Sequence, residues 1–238
     1  MYRKVYIFVF LSLMVFDSTV DDAVNNGVEW LCLQQNADST WGNDPLKFLI
    51  TSTVLKAFIH TGKRDSEYVW GLEKFYREAL PSVDHLARYM EILVPLEGDT
   101  SGLIDTLISF QNIDGGFGIY HFYESDPLDA SLVFNTFSAI RYSDYNRIGR
   151  LVTYLVNSQK DSCWAYGDSV SSIMLTALCT YALEKYQNIF NTEEFINKAI
   201  AWMMKRQNLD GGFGYDSSTV YETGPWELLS HGSQQNVL

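Results

Sequence analysis

The stretch that decides the fold occurs twice, as Gln111-Asn-Ile-Asp114-Gly-Gly-Phe117-Gly118 and as Gln207-Asn-Leu-Asp210-Gly-Gly-Phe213-Gly214. In each copy an apolar segment with helical spacing ends near the glutamine. Two glycines follow, and glycine tolerates the positive φ that often follows a helix end. The stretch therefore predicts a helix, a tight turn and a second helix. We expect a Gly116→Val substitution to deprive this turn of a left-handed conformation.

Two weaker copies align with these stretches, and they begin at Trp30 and at Tyr154. Successive glutamines at 111, 159 and 207 lie 48 residues apart, whereas the 76 residues before Gln111 leave room for two shorter units. A fixed period in this range is typical of stacked supersecondary units. We expect structural roles, with the aromatic side chain packing beside the glutamine amide, for Gln35, Asp38, Trp41, Gln111, Asp114, Phe117, Gln159, Asp161, Trp164, Gln207, Asp210 and Phe213.

The whole pattern predicts an all-α array of tandem helix pairs in one repeat domain, residues 20–238. An aspartate opens the second apolar stretch of each unit and is suited to cap backbone N–H groups; these are Asp44, Asp126, Asp168 and Asp216. About ten helices are expected, near residues 20–34, 47–60, 66–78, 83–94, 100–111, 127–140, 145–158, 169–186, 193–206 and from about 218.

The composition excludes several classes of function. A formal net charge of −12 and a pI near 4.6 argue against a nucleic-acid partner and against simple adhesion to anionic lipid. The three cysteines, Cys32, Cys163 and Cys179, form no CxxC pair and no disulfide framework. Cys32 and Cys179 stand among apolar neighbours, so we expect both to be small buried side chains.

The N-terminal residues 1–19 differ from the rest. Arg3 and Lys4 precede an apolar run from Val5 to Phe16, which is short for a membrane span and suits a signal-peptide core. Two interpretations stay open. A signal peptide or hydrophobic anchor predicts a secreted or membrane-associated protein, whereas a first helix of the fold predicts a cytoplasmic one.

The complete copies at Gln111 and Gln207 resemble the repeat of protein prenyltransferase β subunits. The wider pattern Lys198-Ala-x-x-Trp202, followed by Gln207 and Phe213, is similar to the QW motif of squalene and hopene cyclases. The resemblance covers residues 20–220 and implies an α/α toroid of inner and outer helices around an apolar cavity. Because ten helices fall short of the twelve in a complete toroid, the sequence predicts an incomplete one that could associate through its open end.

The resemblance also implies two chemistries that can be sought in the sequence. Class II terpenoid cyclases protonate their substrate with the central aspartate of an Asp-x-Asp-Asp motif. Here the nearest match is Asp126-Pro-Leu-Asp129, in which Leu128 stands at the position of the acid and cannot donate a proton. An aspartate cap followed by proline explains Asp126, and a displaced acid at Asp126 or Asp129 is the alternative.

Prenyltransferases of this superfamily instead hold zinc through an Asp-x-Cys pair and a distant histidine. Asp161-Ser-Cys163 fits superficially, but alignment places it in the repeat turn, and no histidine has ligand spacing. We therefore expect no metal and no cofactor. His121, in an aromatic loop, is expected to be exposed, with ligand contact as the alternative.

Three functions compete on this basis. The first is a non-catalytic or degenerate toroid that binds an apolar, prenyl- or terpenoid-like ligand or a protein partner. The second is a terpenoid cyclase or prenyltransferase type of enzyme with an unidentified acid or metal, and the third is a secreted scaffold or binding module. Candidate cavity residues, with simple core packing as the alternative, are Phe48, Phe58, Phe134 and Phe137.

Overall fold

A computed structural model of the chain describes residues 20–167, 171–208 and 211–214. The N-terminal segment 1–19 and the tenth expected helix lie outside these residues. So do the expected caps Asp168 and Asp216, and the turn residue Asp210.

The described residues are all-α and contain no strand beyond isolated bridges in the repeat turns. This confirms the predicted fold class, and most predicted helix bounds are correct within two or three residues. Helix α8 is the main exception, since it begins four residues later than expected. The helices are α1 (20–33), α2 (Lys47–Thr61), α3 (Ser66–Phe75), α4 (Val83–Leu93, followed by a 3-10 turn at Val94–Leu96), α5 (Ser101–Ser109), α6 (Pro127–Ala139), α7 (Tyr145–Ser158), α8 (Ile173–Glu184) and α9 (Glu193–Met204).

The chain divides into two compact units. One comprises the residues up to Leu80 together with Glu91–Gly98, and in it α2 packs against α3. The other comprises Pro81–Met90 and the residues from Asp99 onward, and in it α6 packs against both α7 and α8, while α8 packs against α9.

Helices of two kinds alternate in the second unit. In α6, nine of thirteen residues are buried, and in α8 seven of twelve. Their neighbours α7 and α9 bury only four of fourteen and three of twelve, respectively. An apolar stripe on one face suits a helix that covers a core, whereas a helix that is apolar all round must be enclosed by others. The alternation therefore gives inner helices, α6 and α8, and outer helices, α7 and α9.

Helices α3 and α5 also count as outer helices, since they bury only three of ten and one of nine residues, and so does α1, in which only Val28 is buried. The turns after α1, α5 and α7 share one hydrogen bond that joins two outer helices. The side-chain Nε2 of the glutamine donates to a backbone carbonyl in the first turn of the next outer helix, 32 or 36 residues further along. The pairs are Gln35 to Glu67 at 2.8 Å, Gln111 to Arg147 at 3.2 Å, and Gln159 to Phe195 at 3.0 Å. We call this contact the glutamine clamp.

The aromatic residue of each turn completes the junction. Trp41, Phe117 and Trp164 are at most 2% exposed. The backbone N–H groups of the two tryptophans also donate to side-chain hydroxyls of the following inner helix, those of Thr51 and Thr176. In the last turn Phe213 is 39% exposed. The aromatic side chain of the turn is therefore buried in three turns and partly exposed in the fourth.

The aspartate at the start of each inner helix does not always cap it. Asp126 does, because its side chain accepts a hydrogen bond from the Leu128 N–H at 2.7 Å and Pro127 is the first helical residue. The expectation for Asp44 is wrong. Residues 43–46 form a separate turn, closed by the Leu46 N–H and the Asn43 carbonyl, and α2 begins only at Lys47, with Leu46 at its N-cap.

No helix among the described residues has the combination of length and hydropathy needed to cross a bilayer.

The left-handed residue of the second turn is Gly115, with φ of +92°, and not Gly116 as expected. Gly116 is required for a different reason. A Cβ there would lie 2.6 Å from the Cβ of Ser125 and 2.7 Å from the Tyr154 ring. The first glycine of the pair thus provides the backbone conformation, and the second provides space for close packing.

Alanine substitutions at the left-handed glycines of two turns should distinguish the cost of backbone strain from the cost of a steric clash with the added Cβ. Gly211 has φ of +87° and no described atom within 4 Å of an added Cβ, so Gly211→Ala should cost about 1 kcal/mol of unfolding free energy. Gly115→Ala should cost clearly more, because its Cβ would also meet the Arg150 carbonyl oxygen. Urea unfolding of both variants measures the difference, and equal losses would contradict the packing described here.

The glutamine clamp can be tested against a matched glutamine. Gln111 reaches both its own turn, through the Gly115 carbonyl, and the next outer helix. Gln207 reaches only the Gly211 carbonyl among the described residues. Gln111→Ala should therefore cost about 1–3 kcal/mol of unfolding free energy, and Gln207→Ala less than about 1 kcal/mol. A Gln207 variant as destabilised as the Gln111 variant would show that the interhelical contact contributes nothing.

Candidate functional site

The start of α6 carries the two carboxylates that the sequence offered as acids. The Asp126 N–H donates to the Phe117 carbonyl at 2.9 Å, which fixes the helix start against the repeat turn. The side chain of Asp126 caps the helix, so the cap interpretation of this residue is confirmed. Burial raises the pKa of Asp126, and hydrogen bonds from the backbone of Leu128 and Asp129 partly offset this effect.

Asp129 lies one turn into α6 and is only 6% exposed. Burial raises its pKa to about 7, and the nearby carboxylates of Asp126 and Asp84 add to the shift. Arg88 opposes the shift, but its Nε is engaged by the Asp84 carboxylate at 2.7 Å. Asp129 is thus a carboxyl group that holds a proton for part of the time at neutral pH, as a general acid must.

A cavity of about 720 Å³ opens beside the start of α6, on the side of the third repeat turn. Asp126 lies in its wall, whereas Asp129 is not among the described residues that line it. Its wall is mostly polar, and the described lining residues are Glu124, Ser125, Asp126, Pro127, Tyr154, Ser158, Lys160, Asp161, Cys163, Ala165, Gly167, Ser171, Trp202 and Arg206.

Aromatic and cationic groups meet at one side of this cavity. The Arg206 guanidinium lies over the Trp202 ring, 3.8 Å from its centroid, and the Nε of Arg206 is buried without a hydrogen-bond partner. Burial is also the main cause of a raised pKa at Tyr154, with smaller contributions from Asp126 and Asp114. Acidic groups balance the two cations of the wall, so the cavity shows no preference for an anion.

Helix α8 presents an uncovered apolar face that the sequence analysis missed. Met174 and Tyr181 are 54% and 55% exposed, and Ala177 lies exposed between them. The Lys185 ammonium lies 3.9 Å from the Tyr181 ring centroid. The residues follow one another at intervals of three and four, so they form one stripe along the helix. We call Met174, Ala177 and Tyr181 the α8 face.

None of the four phenylalanines proposed for a cavity is among the described residues that line the cavity beside α6. Phe58, Phe134 and Phe137 are fully buried. Phe134 stacks on Tyr186 with ring centroids 4.6 Å apart. Phe48 is half-buried and stacks on Phe75. The structure thus places the three buried rings in the core, which was the alternative interpretation.

The remaining sequence candidates have local roles. His121 is exposed, and its ring stacks on Phe110 with centroids 3.8 Å apart. The Cys163 thiol donates to the Lys160 carbonyl at 3.2 Å within the third turn. Asp161 takes a left-handed conformation in the same turn, with φ of +48°.

A different group of described residues could hold a metal ion. Cys32, Asp65 and Glu67 bring one ligand atom each to within 4.8 Å of one another. Sequence analysis expected no metal and missed this group, because Cys32 and Asp65 are 33 residues apart and converge only when α1 ends beside the start of α3. The sequence contains one indication of this group, because Cys32 stands at a repeat position that is occupied by apolar residues in the other repeats.

Comparisons with known proteins agree with the resemblance seen in the repeat. Residues 126–234 match the family model described as the squalene-hopene cyclase C-terminal domain. No curated protein sequence matches the chain significantly.

Solved structures with this fold include cyclases and a prenyltransferase. The type II terpene cyclase MstE from Scytonema is 17% identical, with a TM-score of 0.67 over 82% of this chain and 65% of that one. The ent-copalyl diphosphate synthase from Streptomyces platensis is 15% identical, with a TM-score of 0.58 over 80% of this chain and 42% of that one. Protein geranylgeranyltransferase-I from Candida albicans is 19% identical, with a TM-score of 0.52 over 60% and 46%.

The chain thus spans less than two thirds of the length of each of these proteins. The similarity of fold and the match over residues 126–234 nevertheless point the same way. This chain has the all-α, α/α-toroid type of fold that characterises the terpenoid cyclase and protein prenyltransferase superfamily.

Proposed function

We propose that the chain binds an apolar, prenyl- or terpenoid-like ligand and lacks the protonation chemistry of type II cyclases. The ligands of its structural neighbours support the first part. Structures of MstE are described in complex with geranylgeranyl dihydroxybenzoate as substrate, and the Candida albicans transferase is complexed with GGPP. These ligands share a long isoprenoid chain, which offers apolar surface and few polar groups.

The α8 face is the observation that carries the proposal. Helix α8 is apolar on nearly every side, and such a helix is expected to be covered on every side. Yet Met174, Ala177 and Tyr181 lie exposed in a continuous stripe. An isoprenoid chain laid along the stripe would remove this surface from water, at roughly 25 cal/mol for each Å² of apolar surface buried. The aromatic ring and the thioether would both provide polarisable contacts for its double bonds.

Three features of α6 support the absence of type II chemistry. Leu128 occupies the position at which the family carries its acid. Asp126 lines the cavity, but its carboxylate is engaged as the cap of the helix, and the capping hydrogen bonds partly offset the rise in its pKa that burial causes. Asp129 has the pKa of an acid, but it is buried and is not among the described residues that line the cavity. None of these three residues therefore combines the family's acid position, contact with the cavity and a carboxyl group that is protonated near neutral pH.

Binding to the α8 face can be measured with geranylgeranyl dihydroxybenzoate and the full chain. Titration calorimetry should give saturable binding to the wild-type protein. Tyr181→Glu should weaken binding tenfold or more, because the ligand would then have to desolvate a carboxylate. Tyr145→Glu is the matched control, since Tyr145 is 53% exposed on the outer helix α7, and its binding should equal that of the wild type.

Two results would contradict this proposal. One is the absence of saturable binding to a folded wild-type protein. The other is equal weakening by the Tyr181 and Tyr145 substitutions, which would show a general effect of added charge.

The competing function is a cyclase-type enzyme that uses Asp129 as its acid. It is favoured by the raised pKa of this residue. Incubation of the wild-type protein with the same compound, followed by mass spectrometry and chromatography, distinguishes the two. A cyclised isomer that forms with the wild type and not with Asp129→Asn would establish the enzyme, whereas our proposal predicts unchanged starting compound.

The protonation of Asp129 should also be visible in stability. Its pKa of about 7 in the folded chain lies above the ordinary value of 3.8 for an aspartate, so between these pH values the folded chain holds a proton that the unfolded chain releases. The contribution of Asp129 to stability must then fall as the pH rises from about 4 to about 7, by at most about 1.4 kcal/mol per pH unit. The charged groups that act on it are Asp126, Asp84 and Arg88.

Asp129→Asn removes this titration and should therefore become progressively more stable than the wild type from pH 4 to pH 7. Urea unfolding at each pH measures the difference. Asp99→Asn is a control of opposite sign, since hydrogen bonds from Ser101 lower the pKa of Asp99. Its wild-type carboxylate loses stabilisation only as the pH falls below about 4. A difference between Asp129→Asn and the wild type that is constant with pH would show that Asp129 is ionised in the folded chain.

A further inference from the structure

Three potential metal ligands meet where α1 ends and α3 begins, within the first compact unit. They are the Sγ of Cys32 and one carboxylate oxygen each from Asp65 and Glu67, all within 4.8 Å of one another. The three side chains are partly buried. The Ser66 hydroxyl donates to the Glu67 carboxylate at 3.0 Å, and the charge of Lys63 acts on Cys32. Among the described residues, neither Asp65 nor Glu67 has an ion-pair partner.

The side chain of Asp65 does not cap α3, although Asp65 occupies the N-cap position of that helix. Asp65 is the N-cap residue of α3 and has extended backbone angles, yet it makes no capping hydrogen bond. Asp144 occupies the N-cap of α7 and does cap, since it accepts from the N–H groups of Asn146 and Arg147. Asp65 instead accepts from the Cys32 thiol through Oδ2, and its Oδ1 is buried without a hydrogen-bond partner in the described part of the chain. A buried carboxylate oxygen without a partner is costly and calls for a ligand.

The four repeats provide an internal comparison. Cys32 lies three residues before the glutamine of its turn, where the other turns have Ile108, Val156 and Met204. Glu67 is the residue whose carbonyl receives the glutamine clamp, where the later turns use Arg147 and Phe195. The clamp from Gln35 to Glu67 therefore brings the α3 start beside Cys32, and only the first of these junctions has metal-ligating side chains at both positions.

The distance between the Cys32 and Asp65 ligand atoms suits zinc. With Zn–S near 2.3 Å and Zn–O near 2.1 Å, a tetrahedral site separates sulfur and oxygen ligands by roughly 3.6 Å. The separation of the Cys32 Sγ and the Asp65 Oδ2 is 3.5 Å. A thiolate in the ligand set excludes calcium and magnesium, which take oxygen ligands, and favours zinc among the common divalent ions.

We infer that Cys32, Asp65 and Glu67 form a zinc site that joins the end of α1 to the start of α3, with the fourth position of the tetrahedron left to water. The ion would neutralise the paired carboxylates, and bidentate binding by Asp65 would bring its unpartnered Oδ1 to the ion together with Oδ2. Because its ligands come from two helices that the glutamine clamp already joins, the ion reinforces that junction.

Cobalt provides the direct test, because Co²⁺ occupies zinc sites and a thiolate ligand gives it an intense near-ultraviolet charge-transfer absorption. The full chain, kept reduced with a phosphine, should bind one equivalent of Co²⁺ with this absorption, and Zn²⁺ should displace it. Cys32→Ser should abolish the absorption. Glu67→Gln, which keeps the shape of the side chain, should weaken Co²⁺ binding at least tenfold. Cys163→Ser is the matched control and should bind as the wild type does.

Every result of this experiment either supports or overturns the proposed zinc site. Circular dichroism establishes that a variant is folded, and if Cys32→Ser fails to fold, Glu67→Gln provides the comparison. The proposal is overturned if folded wild-type protein shows no thiolate-to-cobalt absorption at millimolar Co²⁺. It is also overturned if the absorption survives in folded Cys32→Ser, if it disappears in Cys163→Ser, or if Glu67→Gln binds as tightly as the wild type.

Discussion

The fold depends on one hydrogen bond that is made repeatedly, from a glutamine side chain to a backbone carbonyl at the start of the next outer helix. A helical carbonyl in the first turn already accepts one backbone hydrogen bond, but it has a second lone pair that the glutamine can use. The clamps at Gln35, Gln111 and Gln159 therefore join consecutive outer helices without interrupting them. An inner helix lies between each such pair in sequence, and the turn aromatic packs at its base. The repeat is thus defined by a contact that spans a whole helix pair.

Much of this architecture is predictable from sequence because it is local. Apolar residues at helical intervals and the glycines after them place the helices within a few residues, and the Asp126-Pro127 start is correctly predicted as a cap. The same short sequence pattern can nevertheless adopt different structures at two places in the chain. Asp44-Pro45-Leu46 repeats the pattern of Asp126-Pro127-Leu128, yet it forms a separate turn before α2. The Gly115-Gly116 pair likewise divides two roles that the sequence assigns to one residue.

The candidate sites could not be predicted in the same way, since each depends on residues distant in sequence. The raised pKa of Asp129 requires burial under helices of the second unit together with the carboxylate of Asp84, 45 residues earlier. The exposed face of α8 cannot be read from a segment whose composition predicts full burial. The cluster at Cys32 requires the Gln35 clamp, because nothing in the local sequence brings α1 to Asp65 and Glu67. For the phenylalanines the sequence left a cavity wall and simple core packing open, and the structure buries three of the four in the core.

These observations describe a superfamily fold in which the inner helix α8 retains exposed apolar surface, and in which Leu128 stands between Asp126 and Asp129 at the start of α6. The glutamine clamps join the outer helices and bring distant side chains together, so the rest of the structure depends on them. Scalar coupling across hydrogen bonds, measured by NMR on the deuterated full chain, tests them most directly. The account predicts coupling from the side-chain nitrogens of Gln35, Gln111 and Gln159 to the carbonyl carbons of Glu67, Arg147 and Phe195. Coupling absent from all three glutamines, with their amide protons exchanging as freely as those of an unfolded peptide, would contradict it.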